Sequence, residues 1–176
     1  ARSLFSRERG PVLLVDIGAS VTKFSIIENG IPWSTHVLSR GSQDITLALS
    51  KSLGLGFAEA EEIKRSVGFS KEELHKNIVD TIRLTLSAIF SSANRMLLEF
   101  EKRHGKAVGK VVLSGGGSLL KGIIEITAEN FSAEVVIADP FSKVESPAFL
   151  APVLKEAGPH FAVAIGIALR ALQDLE

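Results

Sequence analysis

The chain has 176 residues, 45% of them hydrophobic and 23% charged, and its twenty basic and twenty acidic side chains cancel. That length supports one domain with a sizeable core, and the zero net charge provides no electrostatic footprint for nucleic acid or an anionic membrane. The absence of cysteine excludes disulfides, thiolate zinc sites and cysteine nucleophiles, and His36, His75, His104 and His160 lie without metal-ligand spacing.

Residues 1–10 are polar and patternless, the composition of a linker remnant, and residues 11–176 follow as one lobe. Residues 12–17 are a continuous β-rich apolar run, the pattern of a strand buried on both faces. Residues 22–28 and 31–38 alternate apolar and polar around Asn29-Gly30, a strong short hairpin signal. Residues 42–53 are predicted as a helix ended by Gly54 and Gly56, and residues 58–67 as a short, strongly charged helix.

Ser70-Lys-Glu-Glu73 has the form of a capping box. It predicts a long helix to about residue 104, with Leu74, Ile78, Ile82, Leu86, Ile89, Ala93, Leu97 and Phe100 as its apolar stripe. Residues 55–105 are therefore the helical part of the lobe. A strand at 110–113, a helix at 119–130 and a strand at 134–137 follow. Residues 140–159 are predicted as an irregular connection, and a terminal helix starts at His160. Its apolar stretch, 161–172, is short of the ~20 residues of a bilayer-spanning helix, and Ala164, Gly166 and Ala168 suit packing against a sheet. Three antiparallel strands followed by alternating helix and strand predict an α/β, ribonuclease-H-like layer. The expected sheet is mixed, of about five strands, with helices on both faces.

Three places carry candidate chemistry. Asp16 ends the first strand and is followed by Gly18, an arrangement in which a carboxylate can hold hydrated magnesium while backbone amides face phosphate oxygens. Ser114-Gly-Gly-Gly-Ser118 lies between a strand and a helix. Its three glycines admit a flat base or a ribose, and Ser118 can cap the helix. Glu61, Lys64 and Arg65 sit three and four residues apart on one helical face. A capped turn, a tight strand-to-helix turn and a solvated ion-paired helix are the corresponding structural readings of the three places.

These motifs, in this order, resemble the second lobe of the superfamily of actin, sugar kinases and the large heat-shock chaperones. Asp16-Ile-Gly18 resembles its second phosphate motif and Gly115-Gly-Gly-Ser118 its adenosine motif. Glu61, Lys64 and Arg65 match a helix that contacts the nucleoside in the chaperones. Residues 47–65, 112–122, Asp139-Pro-Phe141 and 161–170 together resemble the PilM family of type IV pilus assembly proteins, actin-like relatives of FtsA.

The resemblance implies the carboxyl-terminal lobe of an actin-type fold that binds ATP and Mg2+. Asp16 would hold magnesium through water. Gly18, Ala19, Ser20 and Thr22 would line the phosphates, with Gly41 approaching from the next helix. Glu61, Lys64 and Arg65 would take the ribose side, and Gly115, Gly116, Gly117 and Ser118 the base. No catalytic residue is implied. The loop departs from the family pattern of Asp-x-Gly, further glycines and an early threonine, because Ala19, Ser20 and Val21 precede Thr22.

By the same resemblance, a first phosphate motif and a partner-binding subdomain would precede this chain. The main groove for PilN, an inner-membrane pilus assembly protein, would lie there. The implied location is the cytoplasm, peripheral to the inner membrane through partners, with self-association as a further contact and nucleic acid as none. An assembly module with a vestigial nucleotide cleft, as in secretion-system relatives, is the second reading.

Overall fold

The computed structural model describes residues 10–173, so nearly all of the expected linker remnant lies outside the described residues. Five strands form one mixed sheet: β1 (Val12–Ile17), β2 (Thr22–Glu28), β3 (Ile31–Leu38), β4 (Lys110–Ser114) and β5 (Glu134–Ile137), in the order β3-β2-β1-β4-β5. β1, β2 and β3 pair antiparallel, and β1–β4 and β4–β5 pair parallel. Asn29 and Gly30 both take positive φ, 52° and 76°, the hand that matches strand twist in a two-residue hairpin.

The helices are α1 (Ser42–Leu53), α2 (Phe57–Val67), α3 (Lys76–His104), α4 (Ile123–Asn130) and α5 (Ala151–Gln173). One sheet face, carrying Leu13, Val15, Ile17, Phe24, Ile26, Val111 and Leu113, shares a core with α1, α2, α3 and α4. Fully burying side chains such as Phe24, Leu13 and Ile82 contributes about 1.5–3 kcal/mol each. The other face is thinner, built on Val12, Val112 and Ala138, and α5 crosses it against β4.

Five expectations are corrected. The capping box at Ser70 does not form. Its hydroxyl accepts the Glu72 amide two residues on and bonds the His75 ring, a single 3-10 turn covers Glu73–His75, and α3 begins at Lys76. Leu74 thereby leaves the apolar stripe and is 87% exposed. The fourth helix begins at Ile123 rather than residue 119, because a 3-10 turn occupies Gly116–Leu119 and Gly122 takes a left-handed conformation.

The terminal helix starts at Ala151, nine residues before His160, with Pro152 in its first turn, where proline loses no helical hydrogen bond, and Pro159 inside it. Ala164 and Ala168 are exposed rather than packed on the sheet, together with Phe161, Ile167 and Leu172. Among the described residues no helix is long and apolar enough to cross a membrane.

Candidate functional site: one wall of a cleft

Asp16 and Ser114 face each other in register at the carboxyl ends of the parallel neighbours β1 and β4. From there the chain leaves toward β2 on one side, while β4 is followed by β5 on the other. Connections diverging at such a point open a crevice, the usual ligand position in an α/β sheet.

The turn after β1 is held by α1. Gly18 donates its amide to Val21 O at 3.0 Å, and a Cβ on Gly18 would lie 2.9 Å from that oxygen. The Gly18 and Ala19 carbonyls accept the Ser42 and Gln43 amides at 2.9 and 2.8 Å. A Cβ on Gly41 would overlap the Ala19 carbonyl, so glycine alone permits this approach. All peptides among the described residues are trans. With the Gly18 and Ala19 carbonyls turned toward α1, the Ala19 and Ser20 N–H groups point away from it. Thr22 is buried and its hydroxyl donates to Arg40 O at 2.8 Å, which ties the loop to the end of β3.

The three glycines after β4 differ in what they require. Gly115 has φ +80°, and a Cβ there would lie 2.5 Å from Ile17 O and 2.6 Å from Asp16 Oδ1. One on Gly117 would overlap the Ile17 side chain. One on Gly116 would meet only the His160 ring, 2.8 Å from its Cε1. Ser118 is buried and donates its hydroxyl to Gly115 O at 2.7 Å, so it closes its own loop and does not cap α4.

The charged face of α2 is turned inward. Lys64 is only 6% exposed, and its ammonium donates to Ser42 O at 3.1 Å, Thr46 Oγ1 at 3.0 Å and Glu61 Oε2 at 2.7 Å. Those three bonds use all three of its hydrogens. Arg65, largely exposed, reaches Glu61 Oε1 at 2.8 Å. Burial alone would raise the Glu61 pKa, but hydrogen bonds from Lys64, Thr46 and Arg65 with the Lys64 charge outweigh it and bring it to about 2. Asp16 is half-buried. Burial raises its pKa, and the Lys23 charge on the neighbouring strand partly offsets this.

Asp16, Gly18, Ala19, Glu61, Lys64, Arg65, Gly115, Gly116 and Gly117 all line one open cleft of about 840 Å³, a volume suited to a small-molecule ligand. Ser20, Thr22, Gly41 and Ser118 do not line it; the bonds above place them in the loops that shape it. The sequence reading missed Phe57, Leu119, Glu156, Pro159, His160 and Val163, which also line the cleft. Four of these come from α5, whose first two turns lie in the predicted connection, and nothing in local periodicity places them beside Gly116. Among the described residues no group of three potential metal ligands converges.

A family model described as type IV pilus assembly protein PilM matches residues 5–172. The chain superposes on a chain of a PilM–PilN type IV pilus biogenesis complex with TM-score 0.80 and 30% identity, covering 92% of this chain and 46% of that one. It is 28% identical over 157 residues to the cell division protein FtsA of Borreliella burgdorferi, covering 77% of this chain and 38% of FtsA. MreB 5 of Spiroplasma citri bound to AMPPNP shares the fold, with TM-score 0.69 at 15% identity, over 94% of this chain and 54% of that one. The chain thus spans less than half the length of the two more similar relatives. With an actin-type lobe over its described length and a family match over nearly all its residues, the chain belongs to the PilM family of type IV pilus assembly proteins.

Proposed function

We propose that this chain is the carboxyl-terminal, nucleotide-binding lobe of a PilM-type scaffold. It would close on ATP-magnesium together with an amino-terminal lobe and act at the inner face of the cytoplasmic membrane through PilN-like partners. The observation that carries this reading is the convergence of Asp16, the β1–β2 turn residues Gly18 and Ala19, and Gly116 on one cleft. A lobe used only for protein contacts has no need of it. The shared length with the PilM–PilN complex supports the rest, as does α5, an apolar helix of the kind a packed neighbour covers.

The residues fit the ligand. Asp16 stands at the cleft and feels the Lys23 charge, and a carboxylate so placed would hold hydrated magnesium, which neutralises phosphate charge when bound. The Ala19 and Ser20 amides would take phosphate oxygens. Arg65 and Glu61 would border the ribose, with Lys64 behind them, and Gly115, Gly116 and Gly117 would lie under the base with Ser118 and Thr22 fixing their loops. Gly41 lets α1 close on the phosphate turn. Phosphoryl transfer depends on enclosing charge from all sides. Phosphate release by this chain is therefore expected to match that of Asp16→Ala.

The test is calorimetric titration of ATP-magnesium into the chain joined to an amino-terminal PilM lobe. Micromolar binding that weakens at least tenfold on Gly116→Ala, with the melting temperature unchanged, is the expected result. No heat with a folded protein would favour the vestigial-cleft scaffold instead.

A further inference from the structure

Lys64 lies in the cleft wall, yet no hydrogen of its ammonium remains for a ligand. It donates to Ser42 O, Thr46 Oγ1 and Glu61 Oε2. The Ser42 carbonyl belongs to the same peptide group as the Gln43 N–H, which donates to Ala19 O at 2.8 Å. The Ala19 carbonyl in turn shares its peptide group with the Ser20 N–H. The cation therefore heads a chain of two peptide groups, each with its oxygen toward Lys64 and its hydrogen away. Aligned hydrogen bonds polarise one another, by about 10–30% per bond. The N-terminal amides of α1 are already occupied by Gly18 O and Ala19 O, so they leave no anion site of their own. What the chain of bonds delivers is the Ser20 amide, turned away from α1 on the peptide it shares with cleft-lining Ala19.

We infer that Lys64 serves the phosphate, not the ribose, as a positioning residue whose charge reaches the β1–β2 turn through the Ser42–Gln43 and Ala19–Ser20 peptides. The Ser20 amide is the terminal donor to a phosphate oxyanion. This rests on the nucleotide reading above for the source of that phosphate. Glu61 does not cancel the effect, because Lys64 and Arg65 place two cations about one carboxylate. The relay also explains how a turn lacking the usual glycines can bind an anion. Its side chains at Ala19, Ser20 and Val21 supply no cation, and the backbone does the binding from behind.

The test is heteronuclear NMR titration of the chain joined to an amino-terminal PilM lobe, and of its variants, with adenosine, ADP and inorganic pyrophosphate. Lys64→Met is expected to weaken ADP about threefold to fivefold while leaving adenosine within about twofold, and to shift the Ser20 and Gln43 amide protons upfield. Ser20→Pro removes the terminal N–H at an exposed position away from the α2 core. It should reproduce the ADP loss, and the double variant should lose no more than either single one. Equal weakening of adenosine and ADP by Lys64→Met would make Lys64 a ribose contact and overturn the proposal; so would unchanged ADP binding by Ser20→Pro. If neither adenosine nor ADP moves the Gly115–Gly117 resonances, the nucleotide reading fails by itself. The relay is then decided by pyrophosphate, which must still shift the Ser20 amide in the unsubstituted chain and not in Lys64→Met.

Discussion

The Pro159 carbonyl oxygen accepts the Gly115 amide at 3.0 Å, and the Ser114 hydroxyl donates to the same oxygen at 3.4 Å. A helix interior is thereby bonded to the glycine loop at a proline, a residue that lacks an N–H. Proline removes the bond that would satisfy the Lys155 carbonyl four residues earlier, while its own carbonyl, an acceptor with two lone pairs, takes the loop donors. His160, next in the chain, then lies over Gly116, so the glycine loop and α5 form one unit at the cleft.

The three loop glycines should respond differently to alanine. Gly115→Ala forces a positive φ on a side chain and overlaps Ile17 O and Asp16 Oδ1, an expected cost of about 1–3 kcal/mol. Gly117→Ala presses into Ile17 and should cost about as much. Gly116→Ala meets only a histidine ring that can swing away, so stability should stay within about 0.5 kcal/mol. Thermal and urea unfolding of the three variants would check the order.

Asp16→Asn should stabilise the unliganded chain at neutral pH. The folded-state pKa is raised above 3.8, so the penalty is absent below that value, where the group is protonated folded and unfolded alike. It develops as pH rises toward the folded pKa and is fully present above it. Urea midpoints of the two proteins should coincide in acid and separate toward neutral pH, with the asparagine variant higher.

Glu61→Gln has the opposite sign. The folded pKa is lowered from 4.5 to about 2, so the carboxylate contributes stability above 4.5 that is lost as pH falls between those values. At neutral pH the variant should lose about 1–3 kcal/mol, the scale of charge-assisted hydrogen bonds. That deficit should shrink as pH falls from 4.5 toward 2.

Ile167 and Leu172 on α5 are 65% and 61% exposed. Ile167→Glu and Leu172→Glu should leave the melting temperature of the isolated chain nearly unchanged, within about 0.5 kcal/mol of stability. They should reduce its binding of apolar dyes and its self-association by light scattering. A large loss of stability would mean that this surface is packed within the chain.

The sequence by itself determined the five strands, the hairpin, α1 and α2, because each is set by local periodicity and by Asn29, Gly30 and Gly54 at positions needing positive φ. It also marked both glycine loops, since a run of glycine after an apolar strand has a local conformational meaning. Tertiary structure decided what local pattern cannot express. The placement of α5 beside the glycine loop rests on the Pro159 carbonyl, whose donor Ser114 lies 45 residues away in sequence. Ser70, with an acceptable capping sequence, instead bonds His75. Local pattern leaves the charged face of α2 open between a solvated surface and a ligand contact, and Lys64 is buried because Ser42 and Thr46 on α1 supply the oxygens its ammonium requires. Burial and long-range hydrogen bonds, set only when separate elements pack, turned two recognisable loops into one wall of a cleft.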